Sequence, residues 1–340
     1  MMRWFGLILL LGVGAVPGSS ARRVEVRPIV DHAIEMTAVL IENPLITLSP
    51  DLHFVKGWSL ESDDNDFGGL SSLVAEGPDS FIAVSDYGAL IRFKVGANGV
   101  PSNVRAVPLP RGCADDSNKF NRDSESITRD HATGAVWIGF EWRNAICASD
   151  KSLKNARALV RPLDMQAWSK TGGPETIVRL SDGRFLVFAE AAVGNAKLPE
   201  LVVFDGDPTI EGARPRTLHY RPPEHHFSPT DAAELPDGQL VIINRRFEPP
   251  YAFSAVLSIV PPIGASPPDI IEARTIARFS RPGLTSNFEG VTVTQEGTRT
   301  FVWIVSDNNF MWIEHTYLLK FELINPPPQN GQRDENVRQR

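Results

Sequence analysis

Two cysteines in 340 residues leave no room for a disulfide scaffold or a four-thiolate zinc site. Basic residues are also short: 34 Lys and Arg stand against 41 Asp and Glu, for a net charge of −7. A generic grip on nucleic acid needs a basic surplus, so no nucleic-acid partner is expected. Beyond the first 21 residues no apolar run approaches the roughly 20 residues a membrane-spanning helix requires. Gly-x-Ser-x-Gly, His-Glu-x-x-His and the phosphate-binding P-loop are all missing, which removes the usual serine hydrolases, zincins and P-loop NTPases. No amphipathic stripe of helical period and useful length occurs either. What remains is a globular composition, 42% hydrophobic and 22% charged.

The N-terminus reads as an address. Arg3 precedes an uncharged run from Phe5 to Val16, and Ser19 and Ala21 then form a small-x-small cleavage pattern. Residues 1–21 are therefore expected to be a secretory signal peptide, too short to be retained as an anchor. The mature chain is expected to be exported, periplasmic or extracellular, as one domain over residues 22–325. The polar tail 326–340 is expected to be disordered. In an oxidising compartment Cys113 and Cys147 are expected to pair.

Proline and glycine, 27 and 26 residues, are scattered among short apolar runs, and the scatter is periodic. Gly68, Glu125, Glu175, Asp231 and Glu289 form one column, at spacings of 57, 50, 56 and 58 residues. A small residue follows each (Gly69, Ser126, Thr176, Ala232, Gly290), and then an apolar one (Leu70, Ile127, Ile177, Ala233, Val291). A second column, Asp86, Glu141, Glu190, Arg245–Arg246 and Asp307, closes five β-rich runs. Turn signals such as Ser181-Asp182-Gly183 and Pro236-Asp237-Gly238 lie between the columns and mark hairpins. A repeat of about 55 residues with three or four antiparallel strands is a propeller blade. The fold expected is all-β, a five-bladed propeller. A sixth blade stays open if Val24 to Leu48 contributes more than an arm. The last repeat shows only three strands, so Leu52 to Leu60 is expected to complete it and lock the ring.

Antiparallel pairing should bring both columns to one mouth of the central channel. Glu125, Glu175, Asp231 and Glu289 would meet Asp86, Glu141, Glu190 and Asp307 there. Eight acids repel one another unless a cation relieves them, and hard oxygen ligands suit calcium or magnesium. The guanidinium forks of Arg245 and Arg246 could hold an anionic group. On the alternative reading the acids are blade staples that cap backbone amides. His225, His226, His131 and His315 read as loop residues, and Trp137, Trp303 and Phe185 as core.

Several segments together resemble one family. These are Phe67-Gly68-Gly69-Leu70-Ser71, Asp123-Ser124-Glu125-Ser126-Ile127, and Pro174-Glu175-Thr176-Ile177 with its Ser181-Asp182-Gly183 turn. The others are Pro229-Thr230-Asp231-Ala232-Ala233 with Arg245-Arg246-Phe247, and Asn287-Phe288-Glu289-Gly290-Val291 with Ser306-Asp307-Asn308-Asn309-Phe310. They look like the bacterial phytase-like domain, "esterase-like activity of phytase", over roughly residues 50 to 323. The resemblance implies an exported propeller acting on phosphate monoesters or related esters. Propeller phytases set several calcium ions beside the substrate phosphate, with many acids and several lysines. Lysine is sparse near these columns, so phosphate would fall to Arg245, Arg246 or Arg143. The leading expectation is a calcium-dependent hydrolase of a small anionic ester. Glu125, Glu175, Asp231, Glu289 and Asp86 would hold metal, Glu141, Glu190 and Asp307 would be catalytic, and Arg245 and Arg246 would bind substrate. A lactonase-like calcium hydrolase and a non-enzymatic envelope binding module are the other two readings.

Overall fold

Inner strands rich in small and apolar residues can be covered on both faces only by being surrounded, and a ring of sheets does this. The computed structural model describes residues 28–114, 118–194, 196–249, 252–311 and 313–324. The expected signal peptide and polar tail lie outside the described residues. Five sheets stand around a central channel, and their inner strands are Leu70–Ala75, Ser124–Arg129, Pro174–Arg179, Ser228–Glu234 and Asn287–Glu296. Each inner strand neighbours the next, and the last neighbours the first, so the ring is closed. The fold is the expected five-bladed propeller. Among the described residues no sixth blade forms: the short strands His32–Ala33, Thr37–Leu40 and Thr47–Leu48 add to the outer edges of blades one, five and four.

Ring closure also follows the expected route. Leu52–Glu61 pairs antiparallel with Thr316–Leu323, from Leu60 opposite Thr316 to Leu52 opposite Leu323. An N-terminal strand thus completes the blade begun by the C-terminal hairpin. Trp58 and Trp303 stack across that blade with centroids 6.4 Å apart and Phe81 of blade one leans on Trp303 at 4.9 Å. All three are buried, and burying such a side chain contributes about 1.5–3 kcal/mol.

Every inner hairpin carries a β-bulge at the same place. Pairing jumps between Leu70 and Ser72, Ser124 and Ser126, Pro174 and Thr176, Pro229 and Asp231, and Phe288 and Gly290. The extra residues are Ser71, Glu125, Glu175, Thr230 and Glu289. This corrects the sequence column in two blades: the equivalents of Glu125 are Ser71 and Thr230, not Gly68 and Asp231. Asp231 belongs with the small residues Ser72, Ser126, Thr176 and Gly290, and a one-residue step along a strand turns a side chain to the other face. Smallness is required in that row: a Cβ on Gly290 would lie 2.5 Å from the Val305 side chain and 3.0 Å from the Leu73 backbone nitrogen.

Asp231 is the exception in this row, and it ties the ring across its axis. Its Oδ2 accepts from Ser72 Oγ (2.9 Å), the Leu73 backbone N–H (3.2 Å) and the Val291 backbone N–H (2.9 Å), while Oδ1 accepts from Ala232 N–H (2.9 Å). Ser72 Oγ in turn accepts from the Ile127 N–H at 3.2 Å. Four blades thus meet in one hydrogen-bonded knot, and Asp231 is 1% exposed.

Cys113 and Cys147 form a disulfide, with Cα atoms 5.4 Å apart. It fastens the corner at Arg111–Ala114, itself bridged to Asn155, to the strand Ala145–Ser149 of blade two.

Candidate active site at the mouth of the channel

The bulge residues sit where each inner strand begins, and the second strand of each blade ends beside them. Backbone bonds fix this meeting: Asp86 N–H reaches Gly69 O at 2.9 Å, Glu141 N–H reaches Asp123 O at 3.2 Å, and Glu190 N–H reaches Gly173 O at 3.3 Å. Gly69 has φ +61°, and a Cβ there would lie 2.1 Å from Asp86 Oδ1, so only glycine lets the Asp86 carboxylate take this position.

The result is a continuous arc of carboxylates. Asp123, Glu125 and Glu141 offer oxygens within 4.8 Å of one another, and so do Glu141, Glu175 and Glu190. Glu141 is common to both groups. Beyond Glu190 the arc continues through Arg245, whose Nη2 lies 2.8 Å from Glu190 and whose Nη1 lies 2.6 Å from Glu289. Nη1 also donates to Asn287 Oδ1 at 2.7 Å, and Asn287 Nδ2 donates to Glu289 at 3.0 Å and Asp307 at 3.3 Å. On the other side Lys119 Nζ is 3.1 Å from Asp86. Asp86 Oδ1 is buried with no hydrogen-bond partner.

Two cations among so many acids leave negative charge uncompensated. Burial first, and then the neighbouring carboxylates, push Glu125, Glu175 and Asp307 well above the usual range. Burial raises Glu141 to about 8 and Glu289 to about 7, Arg245 opposing it at Glu289. Asp123 rises to about 6 by burial, with Lys119 pulling the other way. Burial works against the Arg245 charge, but Glu289, Glu190 and Glu175 outweigh it and hold the guanidinium more firmly protonated than usual. The arc therefore carries protons that a bound cation would displace.

Of the residues singled out in the sequence, Glu125, Glu175, Glu289, Asp86, Glu141, Glu190, Asp307 and Arg245 come together here. Asp231 does not, being held in the axial knot. Arg246 does not either: adjacent to Arg245 on one strand, it faces away, pairs with Glu248 and lies over the Phe227 ring at 4.9 Å. Arg143 donates to Cys113 O and covers the Phe140 ring at 4.6 Å. His225 and His226 are exposed loop residues. Asp123, Lys119 and Asn287 were missed. Asp123 and Asn287 stand two residues before Glu125 and Glu289, and that offset is the signal that could have found them.

The profile of the phytase-like family, described as esterase-like activity of phytase, matches residues 65–310. No curated protein matches the chain. Among solved structures, the major Malassezia sympodialis allergen Mala s 1 is 13% identical with a TM-score of 0.44, over 87% of this chain and 99% of that one. A nidogen/laminin complex gives 11% identity and a TM-score of 0.41, over 84% and 96%. The WD40 propeller domain of Doa1 gives 9% and 0.39, over 80% and 97%. Nothing about the site follows from scores this low. The family match takes in all five inner strands and the whole carboxylate arc, and the chain belongs to the phytase-like family.

Proposed function

We propose that this hydrolase-like propeller is an exported, calcium-dependent hydrolase of phosphate monoesters or related esters, acting at the carboxylate arc. The observation that carries the reading is Glu141, shared by two sets of three carboxylates whose oxygens lie within 4.8 Å. The donor set fits calcium: all oxygen, anionic and flexible in number. The Asp86 Oδ1 without a hydrogen-bond partner and the raised carboxyls support the same reading, since a bound cation would give that oxygen a partner and displace the protons.

Asp123, Glu125 and Glu141 would hold the ion, with Asp86 beside them. When bound, calcium supplies Lewis acidity toward the ester oxygens and neutralises the arc so that an anionic substrate can enter. Glu190, ion-paired with Arg245, is the carboxylate placed to take a proton from the attacking water as the new P–O bond forms. Glu175, whose carboxyl is pushed up first by burial and then by Glu190, Glu125 and Glu141, is the group to return a proton to the leaving alkoxide as the old bond breaks. Arg245 is a positioning residue, because Glu190, Glu289 and Asn287 already occupy its fork.

Calorimetric titration of the chelated, leader-free protein with calcium, with magnesium as control, tests this. Micromolar binding is expected, weakened at least tenfold in Glu125→Gln and Glu141→Gln, with phosphate-ester hydrolysis that chelation abolishes. Absence of binding up to millimolar calcium would overturn the reading and leave the arc a structural feature.

A further inference from the structure

Beside the arc stands an apolar feature that packing does not explain. Phe120 and Trp142 stack with ring centroids 4.2 Å apart and planes at 26°. Phe120 is 47% exposed, and the short turn Lys119–Asn121 that carries it buries none of its residues. Lys170 places its ammonium 5.4 Å from the Trp142 ring centroid. Neither aromatic ring belongs to a hydrophobic core cluster among the described residues.

The stack is fixed to the mouth from both sides. Trp142 directly follows Glu141, whose backbone N–H is bonded to Asp123 O. Phe120 directly follows Lys119, whose ammonium rests on Asp86. An aromatic pair tied at each end to a charged group of the site is a platform held at a set position beside it. A flat apolar ring laid there covers exposed aromatic surface and stacks in the offset or edge-on manner such rings prefer. Lys170, its ammonium beside the Trp142 ring, offers positive charge to an anionic group on the same ligand.

We propose that the Phe120–Trp142 platform selects substrates whose ester oxygen carries an aromatic group: aryl or benzyl phosphates and related aromatic esters. The proposal rests on the hydrolase reading above. The reaction is unchanged, water supplying oxygen to phosphorus and the aromatic alcohol leaving with a proton from Glu175. The platform contributes affinity for the departing half of the molecule.

The test compares benzylphosphonate with methylphosphonate, two non-hydrolysable probes with the same charged head, titrated calorimetrically into the calcium-loaded, leader-free protein. Benzylphosphonate is expected to bind about tenfold more tightly and to change Trp142 fluorescence, identified by its loss in Trp142→Phe. Trp142→Ala and Phe120→Ala are each expected to bring the ratio within about twofold, with near-ultraviolet circular dichroism reporting that both variants fold. Hydrolysis of benzyl phosphate against ethyl phosphate, whose leaving groups are both alkanols, should follow the same ratio. Equal affinity for the two probes, or a ratio that survives both substitutions, overturns the platform and leaves the hydrolase reading standing. If neither probe binds and neither ester is cleaved, the hydrolase reading falls and the platform with it.

Discussion

At the scale of single residues, acids with one sequence signature have two fates. Glu175 and Asp231 each follow a Pro or Pro-Thr at the start of an inner strand, yet one faces the channel mouth and the other the axial knot. Asp231→Ala would leave the Leu73, Val291 and Ala232 N–H groups and the Ser72 hydroxyl without their acceptor. A loss of about 3 kcal/mol or more is expected in chemical denaturation. The arc acids are felt through pH in the cation-free protein. Glu141 and Glu289 have folded-state values of about 8 and about 7, above their ordinary 4.5. The native state therefore binds more protons than the unfolded chain, and these groups favour folding at low pH. That contribution is complete below about pH 4.5 and is lost as pH rises through 7 and 8. The melting temperature of the chelated protein should accordingly fall between pH 5 and 8, and saturating calcium should flatten the slope. A melting temperature that rises over this window would contradict the assignment.

At the scale of elements, the hairpins and their turns were legible because alternation and Asp-Gly signals are local. The bulge was not. A bulge adds one residue without changing composition, so aligning acid with acid put Asp231 in the wrong row. Aligning Pro174-Glu175 with Pro229-Thr230 would have placed it, at the cost of accepting Thr230 in an acidic column. Arg245 and Arg246 show the same limit: a pair in sequence is a pair of opposite faces in a strand, and only Arg245 reaches the arc. The stacked Phe120–Trp142 pair was invisible because its members come from different loops and meet only in three dimensions. The disulfide also acts at this scale. It closes a loop of 34 residues in blade two, and Cys113→Ser with Cys147→Ser is expected to cost about 2–4 kcal/mol. Oxidised and reduced samples melted side by side would show it, with the effect absent in the double variant.

For the whole molecule, the N-terminal segment does two jobs that truncation can separate. Its short strands at Thr47–Leu48, Thr37–Leu40 and His32–Ala33 lie along the outer edges of three successive blades, while Leu52–Glu61 is an interior member of blade five. Removing residues up to Leu48 is expected to lower the melting temperature and keep a cooperative transition. Removing residues up to Glu61 takes Trp58 out of the core and leaves Thr316–Leu323 an open edge, so cooperative unfolding should disappear and limited proteolysis should reach blade five.

The shared blade also imposes an order in time. Leu60 waits for Thr316, more than 250 positions later, and no local contact can substitute for that meeting. A chain made or threaded from its N-terminus can pair Leu52–Glu61 with Thr37–Leu40 at once, but it holds four blades' worth of sequence before the other edge of that strand finds its partner. Blade five also supplies Glu289, Asn287 and Asp307, the part of the arc beyond Arg245. The last hairpin to emerge therefore both shuts the ring and completes the arc, so a prematurely ended chain lacks the full site.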